Sequence, residues 1–114
     1  MITKKDFLKI EPSPRQIAWF NQYSKDQVDA ETFSDTNPSS LEIIWFNEYS
    51  KDQVDAETFL ETYPSPYEIA FFNKFSKDKV SAKTFLKTEP DAHELDCFNE
   101  YSEDQVDINK LTKN

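Results

Sequence analysis

The sequence contains no glycine, and only one cysteine and one histidine among its 114 residues. Without glycine the chain has no glycine-rich phosphate loop, no EF-hand calcium loop and no helix that ends at a glycine, because each of these needs glycine's backbone freedom. The single Cys97 has no partner for an intramolecular disulfide, so folding does not depend on an oxidising compartment. These absences disfavour phosphate-loop, EF-hand and disulfide-stabilised classes of protein.

Long apolar stretches are missing as well. The opening residues MITKKDFLKI contain no long apolar run, and no segment reaches the roughly 20 apolar residues that a helix needs to cross a bilayer. We therefore expect neither a signal peptide nor a membrane span. The expected location is the cytoplasm, or the host cytosol if a phage encodes the protein.

Aromatic and acidic residues, in contrast, are abundant. Phe, Trp and Tyr make up 15% of the chain, and their large side chains predict an aromatic-rich core. The formal net charge is -9, which repels phosphate backbones and so disfavours direct binding to nucleic acid. The same charge favours a partner protein with a basic surface.

Four residue types recur at intervals of 26 residues along nearly the whole chain. Because such a period is typical of stacked supersecondary units, we predict an all-α fold, a short α-solenoid of two-helix repeats about 40 Å long. The predicted single domain has an N-terminal half-unit at 1–11, repeats at 12–37, 38–63 and 64–89, and a C-terminal capping repeat at 90–114. The recurring residues are Pro12, Pro38, Pro64 and Pro90; Phe20, Phe46, Phe72 and Phe98; Asn21, Asn47, Asn73 and Asn99; and Val28, Val54, Val80 and Val106.

Capping signals place two helices in each repeat. Ser13 and Gln16 have the spacing of a capping box, and the equivalent residues predict long helices that begin at 14, 40, 66 and 92. The arrangement of Val28, Asp29 and Phe33 matches an N-cap with a hydrophobic staple and predicts a short helix over about residues 30–36. The same arrangement recurs around Thr3, Asp55, Ser81 and Asp107.

Proline is expected to end the short helices, because it disfavours the helical conformation of the residue before it. The last copy differs from the others, since Asp96 stands where they have alanine or isoleucine, as expected where no further unit covers the helix. This alternation of short and longer helices is similar to leucine-rich-variant repeats and other short α-solenoids. The residues themselves do not match the motifs of those families.

The asparagine that recurs in every long helix has two interpretations. Asn21, Asn47, Asn73 and Asn99 stand where helix propensity disfavours this residue type. In the first interpretation each amide bonds to backbone groups of the neighbouring unit, because buried amides need partners. In the second interpretation the four side-chain amides form a ladder that binds an extended peptide.

For the other candidate sites we favour structural explanations. Trp19, Trp45 and Phe71 have the helical spacing of core residues, although the same spacing suits an aromatic strip that binds a ligand. The acidic residues of the KDQVDAE segments are expected to cap helices. His93 and Cys97 lie one helical turn apart, but two ligands do not make a zinc site. We predict no metal, no cofactor and no enzymatic activity, since no catalytic motif is present.

Charge varies from unit to unit. The net charge is -1 over residues 1–37, -5 over 38–63, +2 over 64–89 and -5 over 90–114. The positive unit interrupts the continuous negative track that an imitator of DNA needs. Mixed signs instead suit a protein partner, because they help to set its register.

The predicted function is a non-enzymatic, acidic protein-binding module. It acts as an inhibitor or adaptor on a basic surface, such as that of a nucleic-acid-handling enzyme, and resembles small acidic proteins of phages and mobile elements only in size and charge. The alternative is a scaffold that assembles end to end or binds a peptide. A monomer is expected, with an oligomer as the alternative. The predicted partner contacts are Glu42, Glu48, Asp52, Asp55, Glu57, Glu61, Tyr63, Tyr67, Glu100, Glu103 and Asp104.

Overall fold

Short and long α-helices alternate along the chain. The computed structural model describes residues 2–106, and within that range the regular structure consists of eight helices and no strand. The predicted all-α class is therefore confirmed. The five-residue helices are α1 (Lys4–Leu8), α3 (Ala30–Ser34), α5 (Ala56–Leu60) and α7 (Ala82–Leu86). The ten-residue helices are α2 (Pro14–Tyr23), α4 (Ser40–Tyr49), α6 (Pro66–Phe75) and α8 (Ala92–Tyr101).

The helices begin where the capping signals predict. At the start of α2, Gln16 N donates to Ser13 Oγ at 3.3 Å, and Ser13 N donates to Gln16 Oε1 at 2.8 Å. These reciprocal bonds satisfy amide groups that the first turn leaves without partners, and the same box opens α4, α6 and α8. The short helices have single side-chain caps at Thr3, Asp29, Asp55 and Ser81. The fifth cap, predicted at Asp107, lies outside the described residues.

Each short helix is followed by a residue in the left-handed conformation. Glu11, Asn37, Tyr63 and Glu89 have φ between 52° and 56°, a region that glycine enters freely and other residues enter at a cost. Each short helix is thus followed by one residue in the left-handed region, a position that glycine commonly occupies in other proteins. The helix predicted over about 30–36 ends at Ser34, because the next two residues form a turn.

Stacked phenylalanine rings form the centre of the core. Each short helix contributes one ring, which stacks on a ring of the following long helix with centroids 4.1–4.2 Å apart. Burial of each ring contributes roughly 1.5–3 kcal/mol. This packing explains how five-residue helices persist, since helices of that length are not stable alone. The stacked pairs are Phe7–Phe20, Phe33–Phe46, Phe59–Phe72 and Phe85–Phe98.

Hydrogen bonds tie each short helix to the loop after the following long helix. Ala30 N, at the start of α3, donates to Asp52 Oδ2 in the loop after α4 at 2.9 Å. Equivalent bonds join Lys4 to Asp26, Ala56 to Asp78 and Ala82 to Asp104. We call residues 3–28, 29–54, 55–80 and 81–106 helix pairs 1 to 4. The division predicted from the prolines has the same period but begins its first full repeat at residue 12.

The long helices pack in sequence order, α2 against α4, α4 against α6 and α6 against α8. Ala18, Ile44 and Ala70 are buried, whereas Asp96 at the equivalent position of α8 is exposed. The molecule extends over 57 × 21 × 18 Å, so it is longer than the predicted length of about 40 Å. Within residues 2–106 no helix combines the length and the apolar character needed to cross a membrane.

Candidate partner-binding surface

One side of every long helix carries large, mostly apolar side chains that solvent can reach. They occupy the second, sixth and tenth positions of each helix, which a spacing of four residues places on the same side. Eight of these twelve residues are Phe, Trp or Tyr, and none is acidic. Tyr23 is 70% exposed, Leu41 65% and Trp19 57%. We call this surface the aromatic face, and it consists of Arg15, Trp19, Tyr23, Leu41, Trp45, Tyr49, Tyr67, Phe71, Phe75, His93, Cys97 and Tyr101.

The prediction that Trp19, Trp45 and Phe71 belong to the core is wrong for Trp19 and Phe71, whereas Trp45 packs against the buried core. Trp19 and Phe71 are exposed and Trp45 is half-buried, because a helix packed on one side buries only one stripe of residues. Tyr23, which helical spacing places in one broad apolar arc with Ile17, Trp19 and Phe20, is exposed as well. The sequence held a signal for this, since Trp varies to Phe and Cys at this position while the buried phenylalanine next to it never changes. The residues that α2 buries are Ile17, Ala18, Phe20 and Asn21.

Contacts between side chains order the aromatic face. Within α2 the rings of Trp19 and Tyr23 meet edge to face, with centroids 5.2 Å apart. Between α6 and α8 the rings of Phe71 and Tyr101 lie 6.0 Å apart. The Lys74 ammonium is 4.9 Å from the centre of the Tyr101 ring, within the range of a cation–π interaction. These contacts hold neighbouring side chains in one surface.

Carboxylates border the aromatic face on both sides. At 100° per residue, the ninth position of a long helix lies about 20° from the second, and the third lies about 20° from the tenth. The ninth positions hold Gln22, Glu48, Lys74 and Glu100. The third positions hold Gln16, Glu42, Glu68 and Glu94. Five of these eight border residues are therefore acidic, and one is basic.

The recurring asparagines lie inside the molecule. Val28 N donates to Asn21 Oδ1 at 2.9 Å, and Asn21 Nδ2 donates to Val28 O at 3.0 Å and to Ser50 Oγ at 2.8 Å. Asn47 and Asn73 are also buried and make the same three bonds. Each amide thus serves backbone groups of its own helix pair and a hydroxyl of the next, rather than the neighbour's backbone as predicted. These buried amides are not presented to a peptide.

A glutamine forms a second link between neighbouring helix pairs. Gln27 Nε2 donates to Tyr49 O at 2.7 Å, and Lys51 N donates to Gln27 Oε1 at 3.0 Å. Gln53 makes the same link to helix pair 3. In helix pair 3 the position holds Lys79, whose ammonium donates to carbonyl groups of its own pair. Sequence reasoning missed this link because its partners lie 22 and 24 residues away.

The predicted partner contacts fall into two groups. Glu42, Asp52, Asp55 and Asp104 accept hydrogen bonds from backbone amides at helix starts. The hydrogen bonds from Thr58 hold the pKa of Asp55 below its ordinary value, and Thr32 does the same for Asp29. The exposed remainder comprises Glu48, Glu57, Glu61, Tyr63, Tyr67, Glu100 and Glu103.

His93 and Cys97 lie on the aromatic face of α8. Burial raises the pKa of the Cys97 thiol, and the neighbouring Glu100 carboxylate raises it further. The thiol therefore stays protonated at neutral pH, a state in which it is a weak nucleophile. In the part of the chain that the structure describes, no three His, Cys, Asp or Glu side chains are grouped so that they could hold a metal ion.

Protein-family models, curated proteins and solved structures provide no match to this chain. The functional argument therefore depends on the surface itself.

Proposed function

We propose that the four helix pairs form a short α-solenoid, as the 26-residue period predicts. The proposal is supported by contacts that recur at that interval. They are the stacked phenylalanines within each pair, the Asn–Ser hydrogen bond between pairs and the packing of each long helix on the next. In this arrangement the long helices lie side by side, and the aromatic face runs along the array.

The function that we propose is that of a non-enzymatic protein-binding module with the aromatic face as its contact surface. The observation that carries the proposal is the row of exposed Trp, Tyr, Phe and Leu side chains on the three long helices α2, α4 and α6. Contiguous apolar surface of this kind marks interaction sites in soluble proteins. Trp, Tyr and Arg, which the face contains, are also the residues that contribute most to binding energy in protein interfaces.

The chemistry of the partner follows from the borders of the face. The bordering glutamates and the net charge of -9 favour a protein whose apolar contact residues are surrounded by lysine and arginine. An inhibitor or adaptor that covers the basic surface of a nucleic-acid-handling enzyme fits this description. Complementary charge speeds the encounter and sets the register, while the aromatic side chains supply most of the affinity.

Affinity capture from the source cells tests this function. The test variant combines Leu41→Ala with Tyr67→Ala, which removes two exposed side chains from the middle of the aromatic face. The control variant combines Glu31→Ala with Lys83→Ala on the exposed sides of two short helices, which leaves the net charge unchanged. We expect the wild type and the control to recover the same partner, and the test variant to recover at least about tenfold less of it.

A purified partner then tests the role of charge. Glu48→Gln together with Glu100→Gln should slow association, and rising salt should weaken binding of the wild type.

Two outcomes would contradict the proposal. Equal recovery of the partner by the test and control variants in the affinity capture would show that the aromatic face is not the contact surface. Binding that is indifferent to salt and to the two glutamates would exclude a basic partner.

A further inference from the structure

Helix α3 lacks a leucine that the other three short helices have. The fifth position of the short helix holds Leu8 in α1, Leu60 in α5 and Leu86 in α7, and each of these side chains packs partly buried against the core. In α3 the same position holds Ser34, which is also half-buried. Because a serine side chain ends at a hydroxyl on its β-carbon, it cannot fill the volume that a leucine side chain fills.

A groove of about 260 Å³ lies open beside Ser34, at the junction of helix pairs 2 and 3. We attribute the groove to the missing leucine branch. Sites for whole small molecules usually have volumes of roughly 300–1,000 Å³, so this groove is better suited to one side chain of a larger partner. Its lining includes Ser34, Asn37, Pro38 and Ile43 from helix pair 2, and Thr58 and Glu61 from helix pair 3.

The groove combines apolar and polar lining residues. Ile43, which is only 1% exposed, and the half-buried Pro38 provide its apolar part. Ser34 and the exposed Asn37 contribute a hydroxyl and a side-chain amide, which can both donate and accept hydrogen bonds. A branched apolar side chain matches the apolar part, and the N–H and C=O groups of a peptide match the polar part. The lining therefore suits a leucine within a polypeptide.

Acidic residues flank this groove, whereas basic residues occupy the equivalent positions further along the molecule. Asp35 follows α3 and Glu61 follows α5, and both side chains are exposed. The same position holds Lys9 after α1 and Lys87 after α7, which are exposed as well. Charge complementarity favours lysine or arginine next to the bound leucine. The two outer lysines repel a longer basic segment and so help to set its register.

The groove lies on the other side of α4 from the aromatic face. Ile43, which lines the groove, is the fourth residue of α4, and Trp45 on the aromatic face is the sixth. At 100° per residue their side chains are about 160° apart around the helix, after the shorter way round. An occupant of the groove therefore does not compete with a partner on the aromatic face, and the inference does not depend on the function proposed for that face.

From these observations we infer that the groove between α3 and α5 binds a leucine side chain from a basic peptide segment of a partner protein. The leucine takes the volume that is filled from within the chain at the other short helices. Backbone groups next to it form hydrogen bonds with Ser34 and Asn37, and neighbouring lysine or arginine side chains pair with Asp35 and Glu61. The chain then has contact surfaces on two opposite sides.

Nuclear magnetic resonance of the isotope-labelled full chain tests the inference with a defined probe, the peptide acetyl-Lys-Lys-Leu-Lys-Lys-amide. The salt concentration is kept near 0.15 M, where exposed charges more than about 8 Å apart are largely screened. Titration should shift the backbone amide signals of Ser34, Asn37 and Glu61. The matched peptide with serine in place of leucine should bind at least about tenfold more weakly, because it buries no apolar side chain.

Variants of the chain test the same contact from the other side. Ser34→Leu supplies the missing side chain, so it should abolish binding of the leucine peptide and raise the thermal midpoint by about 5 °C. Ser34→Ala leaves the groove open and should still bind the peptide. Asp35→Lys together with Glu61→Lys should weaken binding at least about tenfold. Leu41→Ala together with Tyr67→Ala, on the aromatic face, should leave binding unchanged.

Several results would overturn the inference. They are the absence of groove shifts at peptide concentrations up to about 5 mM, equal binding of the leucine and serine peptides, and shifts confined to the aromatic face. Undiminished binding by a folded Ser34→Leu variant would exclude the groove as the site, and a lowered thermal midpoint would exclude a missing leucine as its origin. Groove signals that shift when the chain alone is diluted would assign the groove to a second copy instead.

Discussion

A single side chain, that of Asn47, pairs both backbone groups of Val54. Val54 N donates to Asn47 Oδ1 at 2.8 Å, and Asn47 Nδ2 donates to Val54 O at 3.0 Å. The second amide hydrogen is donated to Ser76 in the next helix pair at 2.8 Å. This position needs an acceptor and two donors on a short side chain, a combination that asparagine has and aspartate lacks. It explains why a poor helix former occurs in every long helix.

Removal of this amide should destabilise the fold strongly. Asn47→Ala leaves Val54 N, Val54 O and the Ser76 hydroxyl without their partner in a buried place, and we expect a loss of about 2–4 kcal/mol in urea unfolding. The matched control is Asn99→Ala, at a half-buried asparagine that makes no serine bond within residues 2–106, and it should lose clearly less stability. Equal losses would contradict the role that we assign to burial and to the serine bond.

The glutamine link predicts a difference between an internal and a terminal position. Gln53→Ala removes hydrogen bonds to helix pair 3 and should lower the free energy of unfolding by about 1 kcal/mol. Within residues 2–106 the bonds of Gln105, at the end of helix pair 4, stay inside its own pair, so Gln105→Ala should lower the free energy of unfolding by a few tenths of that amount. Urea unfolding of both variants at low protein concentration provides the comparison. A loss at Gln105 as large as that at Gln53 would show that the link between pairs is not the stabilising element.

The left-handed backbone conformation after each short helix predicts that glycine has opposite effects on stability at two nearby positions. Glu89 has φ 53°, so Glu89→Gly should relieve backbone strain and raise stability by about 0.5–1 kcal/mol. Lys87, two residues earlier, has φ -64°, so Lys87→Gly should lower stability by a similar amount. Both side chains are exposed, so neither substitution removes buried side-chain contacts. Thermal unfolding measures both shifts, and the same sign for the two variants would refute the explanation.

The helix caps predict a dependence of stability on pH. Asp29 and Asp55 have pKa values below the ordinary one in the folded chain, mainly because Thr32 and Thr58 donate hydrogen bonds to them. A lowered pKa stabilises the fold above the unfolded pKa of about 4, and this contribution disappears as pH falls through the folded pKa. Stability should therefore decline from about pH 4 downward.

Serine provides the matched control for this effect. Ser81 caps α7 at the equivalent position without an ionisable group. The double variant Asp29→Ser, Asp55→Ser should keep the helix starts and show a weaker decline at acid pH, measured by the thermal midpoint between about pH 2 and pH 6. An unchanged decline would assign the acid sensitivity to other carboxylates.

Local signals in the sequence were sufficient to locate the helices. The Ser13–Gln16 spacing and its copies predict the long helix starts, because a capping box satisfies amides of its own first turn and involves no distant residue. Periodicity was less reliable for burial. Ile17, Trp19, Phe20 and Tyr23 fit one apolar arc on the sequence, yet only Ile17 and Phe20 are buried. The aromatic face was therefore missed as a surface, although a ligand-binding strip of Trp19, Trp45 and Phe71 was one of the alternatives.

By itself the sequence determined the all-α class, the 26-residue period, the helix starts and the caps, since these depend on contacts within a few residues. Only the tertiary structure decided which short helix hydrogen-bonds to which loop, as Ala30 does to Asp52. It likewise decided which hydrogen bonds connect neighbouring helix pairs, such as that from Gln27 to Tyr49. It also decided that Trp19 faces solvent, whereas Trp45 packs half-buried against the core. The physical reason is that burial depends on where a neighbouring helix lies, and residues more than 20 positions apart determine that together.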